Sequence, residues 1–353
     1  MPLFGRVSGW AARQDSAFRG RLTRVYLVLA GLNVGAWAWA AVSFHSRPLL
    51  MGVAAIVYGL GLRHAVDADH IAAIDNVTRK LMQAGQRPVA VGFFFAIGHS
   101  TVVVLVTAAV VGAAAMLGSF QHWRTVGGLI STGVSAFFLL AVAVMNITIF
   151  AGVYRSYRNL RGGVAMEDTD LGALLGAGGL LSRVVRPLFG LVSRSWQMLV
   201  LGLLFGLGFD TATEVAVFGV SAAQAAKGLP LTSVLVFPLL FAAAMSLVDT
   251  TDGVMMLGAY EWAFVQPVRK LYYNMAITLA SVAVALLIGG AEALSLARQL
   301  FAPTASVWAW AASVTRNMNA LGMATIGLFA ASWLISLVIY RLRRLDNASA
   351  LPD

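Results

Sequence analysis

Residues 63–76 contain a group of side chains that could bind a metal ion. Within twelve positions fall two histidines and three aspartates: His64, Asp67, Asp69, His70 and Asp75. They follow an apolar run, and a charged group in hydrocarbon costs about 2.5–3.5 kcal/mol, so such residues usually mark a functional site. Imidazole nitrogens combined with carboxylate oxygens suit a divalent first-row metal, and the chain has no cysteine to offer a thiolate.

A further histidine lies in an apolar segment later in the chain. His99 stands between Gly98 and Ser100 within the run 93–106. A single histidine on an apolar helix is more often a packing residue than a ligand, but a second histidine-bearing group in the same chain reverses that expectation. We therefore predict that His99 is a ligand of the same metal. His45 and His122 are predicted to be ordinary surface residues in loops.

Four acidic residues lie in two later apolar segments. Asp210 and Glu214 are four positions apart, and Asp249 and Asp252 are three apart, so each pair shares a helix face. Buried acids without a basic partner require protonation or a cation. Simple hydrogen bonding to the adjacent threonines is the alternative. We predict that a cation path, or its coupling to protons, uses Asp75, Ser100, Asp210, Thr211, Glu214, Asp249 and Asp252.

The composition is that of a membrane protein. Hydrophobic residues make up 59% of the chain and charged residues 11%, with a mean hydropathy of +0.80. Soluble domains contain about 25% charged residues, so an ordinary soluble domain is excluded. The fold class predicted is an all-α integral membrane protein, one polytopic domain over 1–353. A span needs about 20 residues, which gives eight transmembrane helices, near 25–44, 51–75, 89–115, 126–152, 197–222, 231–257, 272–291 and 322–340.

The basic residues predict the orientation of these spans. Of the 25 lysines and arginines, 19 fall on the side of the N-terminus, Arg79 and Lys80 among them, and five on the other side. Basic residues concentrate in cytoplasmic loops, so both termini are predicted to be cytoplasmic, and the net charge of +10 does not require a nucleic-acid partner. The predicted organisation is a basic N-terminus (1–24), spans 1–4 (25–152), a cytoplasmic linker (153–196), spans 5–8 (197–340) and a cytoplasmic tail (341–353). Residues 292–320 are predicted to connect spans 7 and 8.

A short internal repeat suggests that the two groups of spans are related. Residues 59–67 align without a gap on residues 206–214, which places Asp67 opposite Glu214. Span 2 is predicted to run inward and span 5 outward. Equivalent segments of opposite direction are typical of an inverted repeat, with the binding site where the halves meet.

Two geometries are open for span 2. In a straight helix His64, Asp67 and His70 lie within a stripe about 120° wide, Asp75 returns to the direction of His64, and Asp69 points elsewhere. Asp69 would then contact another helix or orient an imidazole. Alternatively the helix unwinds here, because discontinuous helices are common at transporter sites.

Four motifs together resemble the nickel/cobalt transporter (NiCoT) family. They are Arg-His-Ala-Val-Asp-Ala-Asp-His-Ile (63–71), Phe-Ala-Ile-Gly-His-Ser-Thr-Val-Val (95–103), Leu-Gly-Phe-Asp-Thr-Ala-Thr-Glu (207–214) and Ser-Leu-Val-Asp-Thr-Thr-Asp-Gly (246–253). The resemblance implies high-affinity secondary uptake of Ni²⁺ and/or Co²⁺ across the bacterial cytoplasmic (inner) membrane. It also implies that His64, Asp69 and His70 are essential and that His99 helps to select the metal. One departure is Ala244, where the family pattern has glycine.

Two rival functions use the same residues. An exporter of the same metals would need the same site, and an integral-membrane metal-dependent hydrolase would use it to activate water. The acids are spread over several spans, which favours a transport path, so no enzymatic activity is expected. The expected partners are the divalent metal ion, as substrate rather than cofactor, and the lipid bilayer. No Walker-type Gly-x-x-x-x-Gly-Lys-Ser/Thr occurs, and no ATPase subunit is indicated. No oligomeric state is assigned.

Overall fold

The fold is known from a computed structural model that describes residues 15–112, 192–207, 212–264 and 267–301, with shorter stretches between 129 and 151 and between 313 and 331. Within these residues every regular element is a helix. Four helices are long and apolar enough to cross a membrane, or five when one bent pair counts as a single span. The all-α prediction is confirmed for the described residues, while eight spans and cytoplasmic termini stay predictions.

Within the described residues the helices overlap the predicted spans, with shifted ends. In chain order they are α1 (Ser16–Phe44), α2 (Pro48–His64), α3 (Ala68–Gln83), α4 (Val91–Gly112), α5 (Thr132–Val144), α6 (Met198–Gly206), α7 (Ala212–Ala226), α8 (Leu231–Val234), α9 (Val236–Phe264) and α10 (Pro267–Phe301). A further helical stretch covers 320–328. Residues 292–301 continue α10, although the sequence predicts that they belong to a connection. They contain no glycine or proline, and the next helix-breaking residue is Pro303.

The largest departure from a straight span is a break between α2 and α3. The two helices meet at 52°, with residues 65–67 between them. Asp67 has an extended backbone (φ −67°, ψ 144°) and occupies the N-cap position of α3. The straight-helix geometry for span 2 is therefore wrong, and the unwound alternative describes the chain. Gly322 packs against this break, since a Cβ atom there would overlap the carbonyl oxygen of Val66.

Helix α9 is the centre of the bundle. It packs against α1, α2, α3 and α4. At the start of α9, Phe237 stacks on Phe44 with ring centroids 5.4 Å apart, and Phe241 is fully buried one turn later. Helix α1 is attached to α9 by polar contacts: Asn33 Nδ2 donates to the carbonyl of Ala243 at 3.2 Å.

At the opposite end of α9, charged residues join three segments. Arg87, in the connection between α3 and α4, donates to Asp15 at 2.7 Å and to Glu261 near the end of α9. Its guanidinium also lies 4.9 Å from the ring centroid of the buried Phe18. The backbone N–H of Phe18, donating to Asp15 at 2.6 Å, and the nearby Arg87 hold the pKa of the Asp15 carboxyl below its usual value. Asp15 therefore stays ionised at neutral pH. We refer to this side of the bundle as the Arg87 end.

Helices α4 and α6 touch backbone to backbone. A Cβ atom on Gly98 would overlap the carbonyl oxygen of Leu199, and one on Gly202 would overlap that of Phe95. Small residues at such crossings allow membrane helices to approach closely. The approach matters for the site, because Phe95 and the neighbouring His99 lie on the same stretch of α4.

Substituting Gly202 with alanine is expected to destabilise the bundle. The methyl group has no room against α4, and overpacking of this kind costs about 1–3 kcal/mol. Thermal unfolding of the detergent-purified chain measures the effect. Gly219→Ala is the control, because nothing lies within 4 Å of a Cβ atom there, and replacing a helical glycine with alanine otherwise stabilises by about 1 kcal/mol. Equal gains in stability for the two variants would contradict the close contact.

Candidate metal-binding site

Three buried histidines converge inside the bundle. His64 ends α2, His70 lies in the first turn of α3, and His99 lies on α4. Their relative exposures are 1%, 1% and 3%. The three ring centroids are 4.7 to 5.0 Å apart, and one ring nitrogen from each lies within 4.8 Å of the other two. The structure thus brings together three of the five predicted metal ligands as a compact group.

Each imidazole has its own carboxylate, and each carboxylate comes from a different segment. Asp67, in the break, lies 3.1 Å from His64 Nδ1. Asp249, on α9, lies 3.4 Å from His70 Nδ1. Glu214, in the first turn of α7, lies 2.9 Å from His99 Nε2. Three negative charges around three imidazoles suit a divalent cation, because a buried charge requires a partner.

The contacts leave ring nitrogens available for a metal. His70 Nδ1 faces Asp249, and His70 Nε2 has no hydrogen-bond partner among the described residues. His64 Nδ1 faces both Asp67 and the Thr213 hydroxyl, at 3.1 Å each. A carboxylate that accepts from one ring nitrogen fixes the tautomer and frees the lone pair of the other nitrogen. We therefore assign Nε2 as the available donor atom of His64 and of His70.

The spacing of His64 and His99 is that of two ligands of one ion. Their Nε2 atoms are 3.1 Å apart. Metal–nitrogen bonds of about 2.0–2.1 Å place neighbouring nitrogens about 3 Å apart. His99 differs from the other two histidines, because its Nε2 also lies 2.9 Å from Glu214 and its Nδ1 has no hydrogen-bond partner among the described residues. His99 Nε2 is therefore a ligand only in the tautomer with the proton on Nδ1, which leaves Glu214 beside the metal. Around the group, Phe95 presents its ring edge-on to His70 at 4.9 Å, and Phe241 lies 5.3 Å from the ring of His64. These aromatic rings pack directly against the imidazoles.

The aligned repeat segments occupy comparable positions. Residues 59–67 include the end of α2 and the break, and residues 206–214 include the end of α6 and the start of α7. The aligned acids Asp67 and Glu214 each contact one of the three histidines. Residues 208–211 of the second segment lie outside the described residues, so the internal repeat and its inverted direction stay predictions.

The other predicted site residues lie around the three histidines rather than among them. Asp69 is half-buried in the first turn of α3, and its Oδ1 accepts the backbone N–H of His70 at 3.0 Å. Ser100 is buried beside His99, with a hydroxyl that has no partner within the described part of the chain. Asp252 Oδ2 is buried and similarly unpartnered among those residues. Asp210 and Thr211 lie outside the described residues.

Asp75 lies in a separate polar group on α3. Its carboxylate is fully buried and accepts hydrogen bonds from the hydroxyls of Tyr260 and Ser281, the latter at 3.0 Å. Because the break at 65–67 changes the helix direction, Asp75 does not return to the face of His64 as a straight helix predicts. It is placed further along α3, towards the Arg87 end.

Sequence reasoning missed three residues of this region. Thr213 contacts His64, Tyr260 contacts Asp75, and Arg79 is 1% exposed inside the bundle. The prediction that Arg79 lies in a connection between spans is therefore wrong, because α3 continues through it to Gln83; its cytoplasmic side stays a prediction. The signal was present: Arg79 follows Asp75 by four positions, the spacing of opposite charges on one helix face.

Comparisons with known proteins give a consistent picture. The family model described as high-affinity nickel-transport protein matches residues 50–339. A high-affinity nickel transport protein of Cupriavidus necator is 46% identical over 98% of this chain and 99% of its own length. A nickel transporter of Mycobacterium tuberculosis is 42% identical, covering 94% of this chain and 92% of its own. A cobalt transport protein of Rhodococcus rhodochrous is 39% identical, with 84% and 85% covered. No solved structure matches the chain.

Proposed function

The chain belongs to the family of high-affinity nickel-transport proteins, and on that premise we propose that it takes up Ni²⁺ and/or Co²⁺ across the bacterial cytoplasmic membrane. Family membership makes it a multi-pass membrane transporter rather than an enzyme, with the metal as its transported substrate. The observation that carries the proposal is the group of three buried histidines, each with its own carboxylate.

The donor set supports a borderline transition metal. Imidazole suits Ni²⁺ and other late first-row ions, whereas Mg²⁺ and Mn²⁺ prefer oxygen ligands. His64, His70 and His99 would supply nitrogens. Cu²⁺ and Zn²⁺ bind such donors at least as well as Ni²⁺ does, so their exclusion depends on coordination geometry. We assign the carboxylates of Asp67 and Asp249 to orienting imidazoles, and we place Glu214 next to the metal because it contacts the Nε2 side of His99.

We also propose a carboxylate path from the histidines towards the Arg87 end. Asp249 contacts His70, Asp252 follows one helical turn later on α9, and Asp75 lies on the facing α3. These acids offer oxygen ligands or proton acceptors beyond the nitrogen site. Asp210 and Thr211, together with Ser100 and the essential role of Asp69, remain predictions from the sequence motifs.

Uptake rather than export is the direction that the membrane potential favours. A doubly charged ion gains roughly 4.6 kcal/mol per 100 mV on moving towards the negative interior. The Arg87 end includes Arg19, Arg21 and Arg24 of α1 beside Arg87. It would then be the cytoplasmic side, in agreement with the charge distribution of the loops.

The direction and the substrate are tested together by metal accumulation. A bacterium without its own nickel and cobalt uptake systems is transformed with this chain or with an empty vector and given radiolabelled Ni²⁺ or Co²⁺ at trace concentration. We expect accumulation to rise at least several-fold for one or both metals. A fall in accumulation would identify an exporter, and unchanged accumulation of both metals from a chain detected in the membrane would contradict transport.

A further inference from the structure

Arg79 is a buried charged residue to which the proposed carboxylate path assigns no role. It lies on α3 within the bundle and is 1% exposed. Its guanidinium donates to the hydroxyl of Thr278 on α10 at 2.8 Å and to the amide oxygen of Asn76 at 2.9 Å. Asn146 also donates to that amide oxygen, at 2.7 Å. Ionisable residues inside membrane proteins are rare and usually functional. Its partners are neutral, so the fixed positive charge is not cancelled by a direct hydrogen-bonded acid.

Asp75 is the acid nearest to Arg79 along α3. The two residues are four positions apart, which places their Cβ atoms about 5–6 Å from each other on one helix face. Asp75 is 0% exposed, and its two oxygens are held by Tyr260 on α9 and Ser281 on α10. Opposite charges therefore lie one turn apart in a buried polar layer between α3, α9 and α10.

This layer lies between the three histidines and the Arg87 end. At a rise of 1.5 Å per residue, Asp75 is about 7–8 Å and Arg79 about 13–14 Å beyond His70 along α3. Helix α9 runs alongside in the same direction, since its Asp249 meets His70 and its Glu261 meets Arg87. A cation that leaves the histidines towards the Arg87 end thus reaches carboxylates first and the guanidinium next.

Unpartnered oxygens mark the same interval. Asp252 Oδ2 and the hydroxyl of the fully buried Thr78 have no hydrogen-bond partner among the described residues. Thr78 faces α9 close to Gly253, where a Cβ atom would lie 4.0 Å from the hydroxyl oxygen. Carboxylate and hydroxyl oxygens are ligands for divalent cations, so without a nearby positive charge this interval would hold a metal.

We infer that Arg79 acts as a tethered counter-cation of the transport path. It balances Asp75 while the metal is on the histidines, and it repels a metal that reaches Asp75 and the neighbouring Asp252, so that the ion moves on. Arg79 is thereby a positioning residue that sets how long the metal stays, and it does not bind the metal. The inference rests on the proposed transport of Ni²⁺ by this chain.

Removing the positive charge of Arg79 should allow a metal ion to bind stably at Asp75 and Asp252. We expect purified full-length Arg79→Gln to bind one more Ni²⁺ per chain than the wild type in equilibrium binding with Ni²⁺ alone. In proteoliposomes its maximal uptake rate should fall about tenfold, while the half-saturating Ni²⁺ concentration changes less, because release rather than capture is slowed. Arg79→Lys retains the charge and should keep wild-type stoichiometry.

The paired substitution separates charge from shape. Asp75→Asn alone leaves Arg79 unbalanced and should slow uptake, and adding Arg79→Gln should restore part of the rate and abolish the additional Ni²⁺. This comparison remains decisive if Arg79→Gln alone does not fold. The inference is overturned if the double variant is slower than Asp75→Asn, if Arg79→Gln binds no additional Ni²⁺, or if Arg79→Lys behaves like Arg79→Gln. Failure of the proposed function is distinct: the wild type itself would neither bind nor transport Ni²⁺.

Discussion

Replacing His64 with alanine is expected to abolish high-affinity Ni²⁺ binding and uptake. The substitution removes one of three nitrogen donors and leaves Asp67 and Thr213 without the imidazole that they contact. Loss of a residue that only orients a metal ligand already costs 10–100-fold in affinity, so loss of the ligand itself should cost about 100-fold or more. Equilibrium binding of Ni²⁺ to the purified chain and initial uptake rates in cells measure the two effects.

His45→Ala is the matched control for this prediction. His45 is exposed just after α1, and among the described residues its one hydrogen bond is to the local carbonyl of Val42, at 3.1 Å. Its removal should change neither binding nor uptake by more than about twofold, the scale of a surface substitution. Wild-type affinity in folded His64→Ala would show that the metal is held elsewhere.

Replacing Asp249 with asparagine is expected to produce the second-largest loss. Asp249 is fully buried and contacts His70 Nδ1. A carboxylate accepts hydrogen bonds and cannot donate them, so the ring proton is held on Nδ1 and Nε2 stays free for a metal. An asparagine amide can donate to Nδ1 instead, and the ring proton would then occupy Nε2 and block coordination. Ni²⁺ affinity should fall about 10–100-fold. Equilibrium binding of Ni²⁺ at fixed pH measures the loss.

Glu261→Gln controls for removal of an acid from the same helix. Glu261 lies near the end of α9 and contacts Arg87, far along the helix from His70. This variant should retain wild-type Ni²⁺ affinity, although it weakens an ion pair at the Arg87 end. Equal losses of affinity in the two variants would mean that α9 acts through overall stability, and the orienting role of Asp249 would be wrong.

Much of the site could be predicted because its residue types are costly in a membrane. Three histidines lie in apolar segments, where polar side chains are costly and usually functional: His64, His70 and His99. The motifs that contain them resemble one family. The structure brings exactly these imidazoles within 4.8 Å of one another. Asp67 is only three positions from its partner His64. The other two pairings of imidazole with acid could not be predicted, because His70 and Asp249 are 179 positions apart and His99 and Glu214 are 115 apart.

The shape of span 2 shows where periodicity fails. Projection onto a straight helix assumes that backbone hydrogen bonding continues, but at 65–67 the chain bends by 52° and Asp67 starts a new helix. Packing from a distant part of the chain supports the bend, since Gly322 lies against Val66. Such a contact leaves no mark in the local pattern around His64. The alternative of a discontinuous helix is favoured only by how common such helices are at transporter sites.

Arg79 shows the limit of counting charges. Basic residues at the end of a span are usually cytoplasmic, and Lys80 and Arg87 follow closely. Helix α3 nevertheless turns Arg79 into the bundle, where Thr278 and Asn76 accept its hydrogen bonds. The hydroxyl of Thr278 lies 199 positions away, so only the assembled bundle reveals that this arginine is buried.

The long sequence separations between contacting residues also determine when the site can form during synthesis. His70 and Asp249 are 179 positions apart, and His64 and Thr213 are 149 apart. At synthesis rates of about 5–20 residues per second, His70 waits roughly 10–40 s for its carboxylate. The imidazoles therefore enter the membrane long before α7 and α9 exist. A nascent chain should reach full Ni²⁺ affinity only when its last third is made, after the first helices have been inserted.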